Sequence, residues 1–517
     1  MDLKACVKNV TRDTLFEQLT NPKHPPASVQ EAFCSGYLVD YLKDINASTM
    51  VVEEKYTDGD YLEDYVTYYA KCHADYDRHC KRLHFFAGKF DGNEFDGYIR
   101  GSLSSERDAE IHKSYLGFVV VRPLPGPVVG RTVLAHYEDH KAGGVRAYRC
   151  TRTYHANLFG KQLKDIESLA FQEQDKAVAA CATVALWSAF QKTSVTFQTT
   201  APRPAQITRA ATATVKKTRS IPSSGLIVEQ MCSAISEIGL EPEVVDIVGR
   251  GNIPLPSLLY GHLKGGLPVL LGVKIEEIGL HAVALAGYDV MDKAVLGKEV
   301  YGNNKCLPMI GLRIEKFYAH DDQIGPFARM YVQPGTKVND FEFPVEFKGA
   351  WLDKDKVTPL RMLPIVAVVP VYNKIRVKFL DVHDLALELH IVLETLFLKG
   401  SSIEWDIFLS TTNDFKTDLR TQLSTQPDLR MDLLTSQLPR FMWRAILRVN
   451  GSTCLELIAD ATDTPTAVPF QWAVWHNVGF RTQFRDYLKK APAGLRQILL
   501  KIMSRRFLEF IESTLIP

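Results

Sequence analysis

Residues 174–190 constrain this chain more than any other stretch. They read Gln-Asp-Lys-Ala-Val-Ala-Ala-Cys-Ala-Thr-Val-Ala-Leu-Trp-Ser-Ala-Phe. From Ala177 onward the stretch is apolar on nearly every side, and a helix without a polar face has to be buried. Cys181 falls in the first turns of such a helix. The free N–H groups and partial positive charge of a helix N-terminus favour a thiolate there. Gln174, one to two turns upstream, can offer a side-chain N–H beside that thiolate. One segment can in this way supply a thiol nucleophile and half of an oxyanion hole. Plain core packing accounts for the same composition, because free cysteine is among the most buried residue types. The residues downstream decide between the two.

The whole chain sets the bounds for that decision. Its 517 residues are 46% hydrophobic and 23% charged, which is globular composition with room for about three domains. A net charge of +1 gives no field that would draw in nucleic acid or a membrane surface. The N-terminal residues lack the apolar core of a signal peptide, and no apolar run nears the ~18 residues of a membrane helix. Nine cysteines, odd in number and scattered through a large chain, argue against a disulfide framework. A reducing cytoplasm is the expected setting, and it would keep Cys181 a thiol. There is no phosphate-cradling glycine motif, no serine elbow and no His-Glu-x-x-His, so no cofactor is expected.

Three regions are expected: 1–160, 161–335 and 336–517. Residues 1–83 read as mostly helical, with mixed helical spacing over 29–42 and 61–83. On a helix Cys72, Tyr76, His79 and Cys80 would share a face, with His73 and His84 nearby. The spacing is not that of a zinc site, so a helix packing its aromatics is the expectation and no metal is expected. Residues 84–160 turn to strands, with Asp-Gly-Asn inside 85–95 as a hairpin signal. Arg122 and Arg131 flank a proline-rich connector, where they can hold an anion or pair with local carboxylates.

In the central region, 198–220 carries Arg203, Arg209, Lys216, Lys217 and Arg219 without an acid. Five dispersed charges form a weak nucleic-acid footprint and a better solvated rim. Helices are expected over 226–238 and 254–263, and strands over 267–273, 279–288 and 309–318. In the last region 363–372 and 374–379 read as strands and 384–396 as a helix. An Asn-Gly turn joins strands 443–450 and 454–458. Asp460 and Asp463 fit turn chemistry as well as a carboxylate pair. Helices close the chain over 483–514.

A thiol nucleophile needs a base, and the base needs an acceptor to orient it. Three histidines follow Cys181 within the central region. His262 lies near a helix end, His320 lies in a loop, and His281 opens a strand of alternating apolar residues. That strand mounts His281 rigidly, with its ring at the end of the sheet. Asp321 ends the next strand, in position to accept from the ring, and Asp322 is a near-equal rival.

Gln174 and Cys181 on a central helix, then Gly-Leu-His281-Ala-Val-Ala-Leu-Ala-Gly-Tyr, then an aspartate after a strand, resemble papain-like-fold cysteine peptidases. Within them the order is most similar to bacterial peptidases that trim double-glycine leader peptides. The resemblance covers 161–335. It implies an α+β chain whose papain-like central domain packs an N-terminal helix on an antiparallel sheet, flanked by α+β regions. It implies Cys181 as nucleophile, His281 as base, Asp321 as the orienting acid and Gln174 as oxyanion donor. Ala182 stands where such enzymes usually carry glycine, and the interval from Gln174 to Cys181 is slightly long. The implied activity is hydrolysis of a protein or peptide substrate. The same constellation also serves deamidation or acyl transfer, and an inactive domain of this kind would serve as a binding scaffold.

Overall fold

The computed structural model describes residues 3–20, 33–126, 128–138, 144–175, 177–214, 220–248, 253–275, 279–297, 307–338, 341–350, 360–421, 426–464, 468–490 and 493–515. They form an α+β protein of helices and antiparallel sheets. Lys216, Lys217 and Arg219 lie outside the described residues.

The first region is a five-stranded antiparallel sheet with strands in sequence order: β1 (Val7–Asn9), β2 (Thr49–Tyr56), β3 (Cys80–Phe86), β4 (Tyr115–Val121) and β5 (Val129–Leu134). Helix α1 (Phe33–Asp44) accompanies it. The mostly helical reading of 1–83 is corrected by β2 and β3. Met50, Val51 and Val52 are consecutive buried apolar residues, and Leu83, His84, Phe85 and Phe86 are buried without a break, so both faces of the sheet are covered and period two is lost. Cys80 therefore lies on a strand and shares no helix face with Cys72, Tyr76 and His79. His84 is buried, and its Nδ1 is 3.0 Å from the Tyr115 hydroxyl. The Asp-Gly-Asn signal is a helix start instead of a hairpin. Asp91 caps Gly92–Arg100 by accepting from Asn93 and Glu94 N–H groups, and Glu94 returns to the Asp91 N–H. Arg122 donates to the Glu173 carbonyl and Arg131 pairs with Asp60, so neither is an open anion site.

The central sheet contains β6 (Gly144–Ala147), β7 (Leu240–Asp246), β8 (Val269–Ile275), β9 (Gly279–Met291), β10 (Ile314–Asp321), β11 (Gly325–Val338), β12 (Phe341–Ala350) and β13 (Leu360–Tyr372). Its order is β7-β13-β8-β9-β10-β11-β12, and β12 pairs back to β13. Six strands therefore close into a barrel, with β7 added outside β13 and β6 paired to the far end of β9. This sheet crosses both expected boundaries. β6 comes from before residue 161, and β12 and β13 come from after 335.

Helix α2 (Cys181–Phe197) lies against β9, with further contacts to β8, β10 and β13. Nearly every residue from Ala182 to Gln191 is buried, as the all-round apolar composition requires. Helix α3 (Val228–Glu237) packs on β7, and Leu255–Lys264 forms α4.

The last region carries a four-stranded antiparallel sheet: β14 (Ile403–Thr411), β15 (Phe441–Val449), β16 (Ser452–Asp460) and β17 (Phe470–Trp475). Asn450 and Gly451, at φ 50° and 78°, make the expected tight turn between β15 and β16. Residues 374–378 form no strand; they lead into the helix Phe379–Val392. Asp460 Oδ1 accepts from the Thr462 N–H at 2.8 Å, which is turn chemistry. One continuous apolar core runs through all three regions, from Cys6 to Leu515.

The first region also braces the barrel. The Tyr37 hydroxyl of α1 donates to the Pro326 carbonyl at 2.9 Å, and the Tyr137 hydroxyl donates to the Phe327 carbonyl at 2.7 Å. Gly325, at φ 152°, sits so close to the Tyr37 ring that a β-carbon would come within 2.2 Å. These contacts hold the start of β11, next to the turn that follows Asp321 and contains Asp322.

Candidate active site

The loop before α2 is built by one carboxylate. Asp175 Oδ1 accepts from the N–H groups of Ala177, Val178 and Ala179 at 2.8, 2.5 and 3.0 Å. The Ala177 carbonyl accepts from Ser223, and the Val178 carbonyl accepts from the Thr208 hydroxyl at 2.8 Å. Ala180 then takes the N-cap with no side-chain hydrogen bond of its own. The first-turn N–H groups of α2 consequently have no side-chain cap, and Cys181, half-buried, stands first among them.

β9 delivers His281 as its third residue, and β10 ends on Asp321. The two strands pair antiparallel, and continuing the register Ala284 opposite His320 sets Asp321 across from Val283, two residues along the same face from His281. His281 Nε2 lies 2.9 Å from Asp321 Oδ1, and His281 and Cys181 line the same cavity, where the thiol helps to hold the proton on the ring. With Nε2 directed at Asp321, Nδ1 is left for the sulfur. Asp321 Oδ1 also accepts from the Gln323 N–H at 3.0 Å, which fixes the carboxylate. Asp322 Oδ1 stands 3.5 Å from the same His281 nitrogen, and both Asp322 oxygens are buried with no hydrogen-bond partner. The structure thus brings Cys181, His281 and Asp321 together, with Asp321 nearer to the ring than Asp322. His262 and His320 lie elsewhere; His262 Nδ1 contacts the Leu258 carbonyl, and His320, in strand β10 instead of the expected loop, packs its ring at a tilt 4.5 Å from that of Phe327.

The electrostatics follow from this packing. Burial works against a charged His281. The charge of Asp321, its hydrogen bond, the thiol contact and Asp322 outweigh it, and the ring is pushed up to about 11. Burial, reinforced by Asp321 and opposed by His281, raises Asp322 to about 7. Glu173, just before Gln174, is a third buried carboxyl. Burial raises it against the pull of the Val129 N–H, at 2.8 Å, and of Arg122. Burial, then Glu173, then Asp322 push the thiol of Cys34, on α1, well above the usual range. The sequence reading missed Cys34 and Glu173. Neither has a motif, and α1 reaches the site only through the fold.

A cavity of about 740 Å³ opens beside Cys181 and His281. Gln174 is half-buried in the loop and is not among the residues that line this cavity; its carbonyl accepts from Arg122 at 3.5 Å. His281, Asp321 and Asp322 can present one ligand atom each within 4.8 Å of one another, the one such cluster found among the described residues. A cation there would have to displace the His281–Asp321 hydrogen bond. No helix among the described residues is long and apolar enough to cross a membrane. No protein-family model matches the chain, and no curated protein matches it in sequence.

Proposed function

We propose that this chain is a cysteine-type hydrolase that cleaves peptide bonds, with a papain-like arrangement of helix and barrel strands at its centre. One observation carries the reading: a cysteine at an uncapped helix N-terminus lines the same cavity as a buried histidine, which Asp321 holds at 2.9 Å. Nucleophile, base and orienting acid stand in the order that thiol catalysis needs.

In the proposed reaction Cys181 attacks as thiolate, and His281, which keeps its proton through neutral pH, is the acid. The sulfur attacks the substrate carbonyl carbon. The carbonyl oxygen gains negative charge and takes hydrogen bonds from the Cys181 backbone N–H and from Gln174, the proposed second donor. His281 passes its proton to the leaving amine, whose bond to carbon breaks and leaves a thioester on Cys181. Water then attacks the thioester with His281 accepting its proton, and the acid product leaves. Asp321 holds the ring throughout. A reducing compartment such as the cytoplasm suits this chemistry because it keeps the thiol reduced.

A small thiol-directed electrophile tests the reading. Mapped by mass spectrometry in the folded protein, modification is expected at Cys181 ahead of the other cysteines and slowed at least tenfold by His281→Ala. Equal modification of several cysteines, or no effect of His281→Ala, would count for a binding scaffold.

A further inference from the structure

The chain-wide net charge of +1 hides an uneven distribution. Residues 481–506 hold eight lysines and arginines and one aspartate, a net charge of +7, so the other 491 residues together carry −6. Three helices carry this charge: α5 (Val478–Lys490), α6 (Ala493–Ile502) and α7 (Arg505–Thr514). Acids neutralise only part of it. Arg485 pairs with Asp486 at 3.4 Å, Arg496 with Glu512 at 3.2 Å and Arg505 with Glu509 at 2.8 Å. Lys489, Lys490, Lys501 and Arg506 are exposed and, among the described residues, have no carboxylate within ion-pair distance. Like charges gathered on one surface repel one another, and an anionic partner relieves that repulsion.

Helix α6 gives the charge a face. Leu499 is buried and turns inward. Arg496 and Leu500 are four residues apart, as are Gln497 and Lys501, and all four are exposed, so they share the outer side of the helix. Leu500 is 43% exposed, and Ile498, at 46%, borders that side. Lys489 and Lys490 end α5 just before α6, and Arg505 and Arg506 open α7 just after it, in a positively polarised first turn. Ten helical residues span about 15 Å, so the cations form a strip that one small anion cannot cover and a row of headgroups can. Single-stranded nucleic acid calls for exposed aromatic rings on which bases stack. The aromatic residues of 481–506 are Phe484, which is buried, and Tyr487, which is half-buried. Exposed aliphatic side chains among long basic ones suit the boundary between headgroups and acyl chains instead. We propose that the outer side of α6, with the basic ends of α5 and α7, docks this protein on a membrane surface rich in anionic phospholipid. The cations meet headgroup phosphates and Leu500 enters the acyl boundary. None of these residues lines the cavity beside Cys181, and the proposal does not depend on the peptidase reading.

The test floats the whole chain with phospholipid vesicles, one set of phosphatidylcholine alone and one with about 30% phosphatidylserine. Binding to the anionic set is expected to be about tenfold tighter or more, and to fall about fivefold or more as ionic strength rises from about 0.05 to 0.3 M. Lys490→Glu, Lys501→Glu and Arg506→Glu combined are expected to remove the preference. Lys55→Glu, Lys89→Glu and Lys113→Glu combined, at exposed positions of the first region, change the net charge equally and are expected to leave affinity within about threefold. Leu500→Ser keeps the charge and is expected to weaken binding by about threefold or more. It reads the same surface if the triple variant does not fold. Equal binding to the two vesicle sets, equal losses from the two triple variants, or no loss from Leu500→Ser would overturn the proposal. So would a single-stranded RNA that binds more tightly than the anionic vesicles at the same salt.

Discussion

His281 points Nε2 at Asp321 Oδ1 across 2.9 Å, while Asp322, the next residue, stands at 3.5 Å with both carboxylate oxygens unpartnered. Two buried carboxylates thus face one imidazole, and only one is anchored. Asp321 is held by the Gln323 N–H as well as by the ring. Asp321→Asn keeps the shape but removes the charge that holds the proton on His281. It is expected to lower kcat by about 10²–10⁴ with a much smaller change in KM. Steady-state kinetics on one peptide substrate checks this; a loss seen only in KM would place Asp321 in binding.

Stability should fall in two pH windows. Asp322, raised to about 7 from its ordinary 3.8, favours folding while protonated; that contribution is complete below about pH 4 and is lost as pH rises through 7. His281, raised to about 11 from 6.5, favours folding while charged, and its contribution declines from about pH 6.5 to 11. Asp322→Asn is therefore expected to raise Tm relative to wild type at pH 8 and to gain less, or lose, at pH 4.5. His281→Gln should flatten the fall in Tm between pH 7 and 10. Thermal melts across pH read both, and a Tm difference for Asp322→Asn that does not grow with pH would contradict the assignment.

What the sequence made legible was local. Helix α2 follows from an apolar run with no polar face, the β15–β16 hairpin from Asn450-Gly451, and Asp321 from its place at a strand end. The expectation of mostly helix over 1–83 overlooks β2 and the first half of β3, because strands buried on both faces carry no alternation. Asp91-Gly92-Asn93 was read as a turn because capping and turn residues are the same types, and only Glu94 reaching back distinguishes them. Barrel closure by β12 and β13 across residue 335 rests on long-range pairing that no local pattern encodes. The same holds for Cys34 and Glu173 beside the acids of the site.

Cys181→Ser should separate chemistry from folding. The swap is small and Cys181 is only half-buried at a helix mouth, so Tm is expected to stay within about 2 °C of wild type. Turnover should vanish, because His281 then faces a hydroxyl. Cys232→Ser, in the wall of the same cavity, is expected to keep turnover within about threefold. Both variants need melting and turnover measured side by side; full activity in Cys181→Ser would exclude it as nucleophile.

Gln174→Ala tests the second oxyanion donor. If the Gln174 amide swings to the substrate oxygen, its loss is expected to cost about 10²–10³ in kcat while KM holds, since the Cys181 N–H remains. A change under tenfold would leave the helix N-terminus as the main stabiliser of the oxyanion, in keeping with a side chain that does not line the cavity in this structure.

The central claim is that Cys181 opens peptide bonds, and product identity tests it most directly. A mixed peptide library is incubated with wild type and with Cys181→Ser in ¹⁸O water, and new termini are read by mass spectrometry. New N-termini and ¹⁸O-bearing C-termini are expected with wild type only. No new termini, the same termini from both proteins, or side-chain amides converted to acids with backbones intact would contradict the claim.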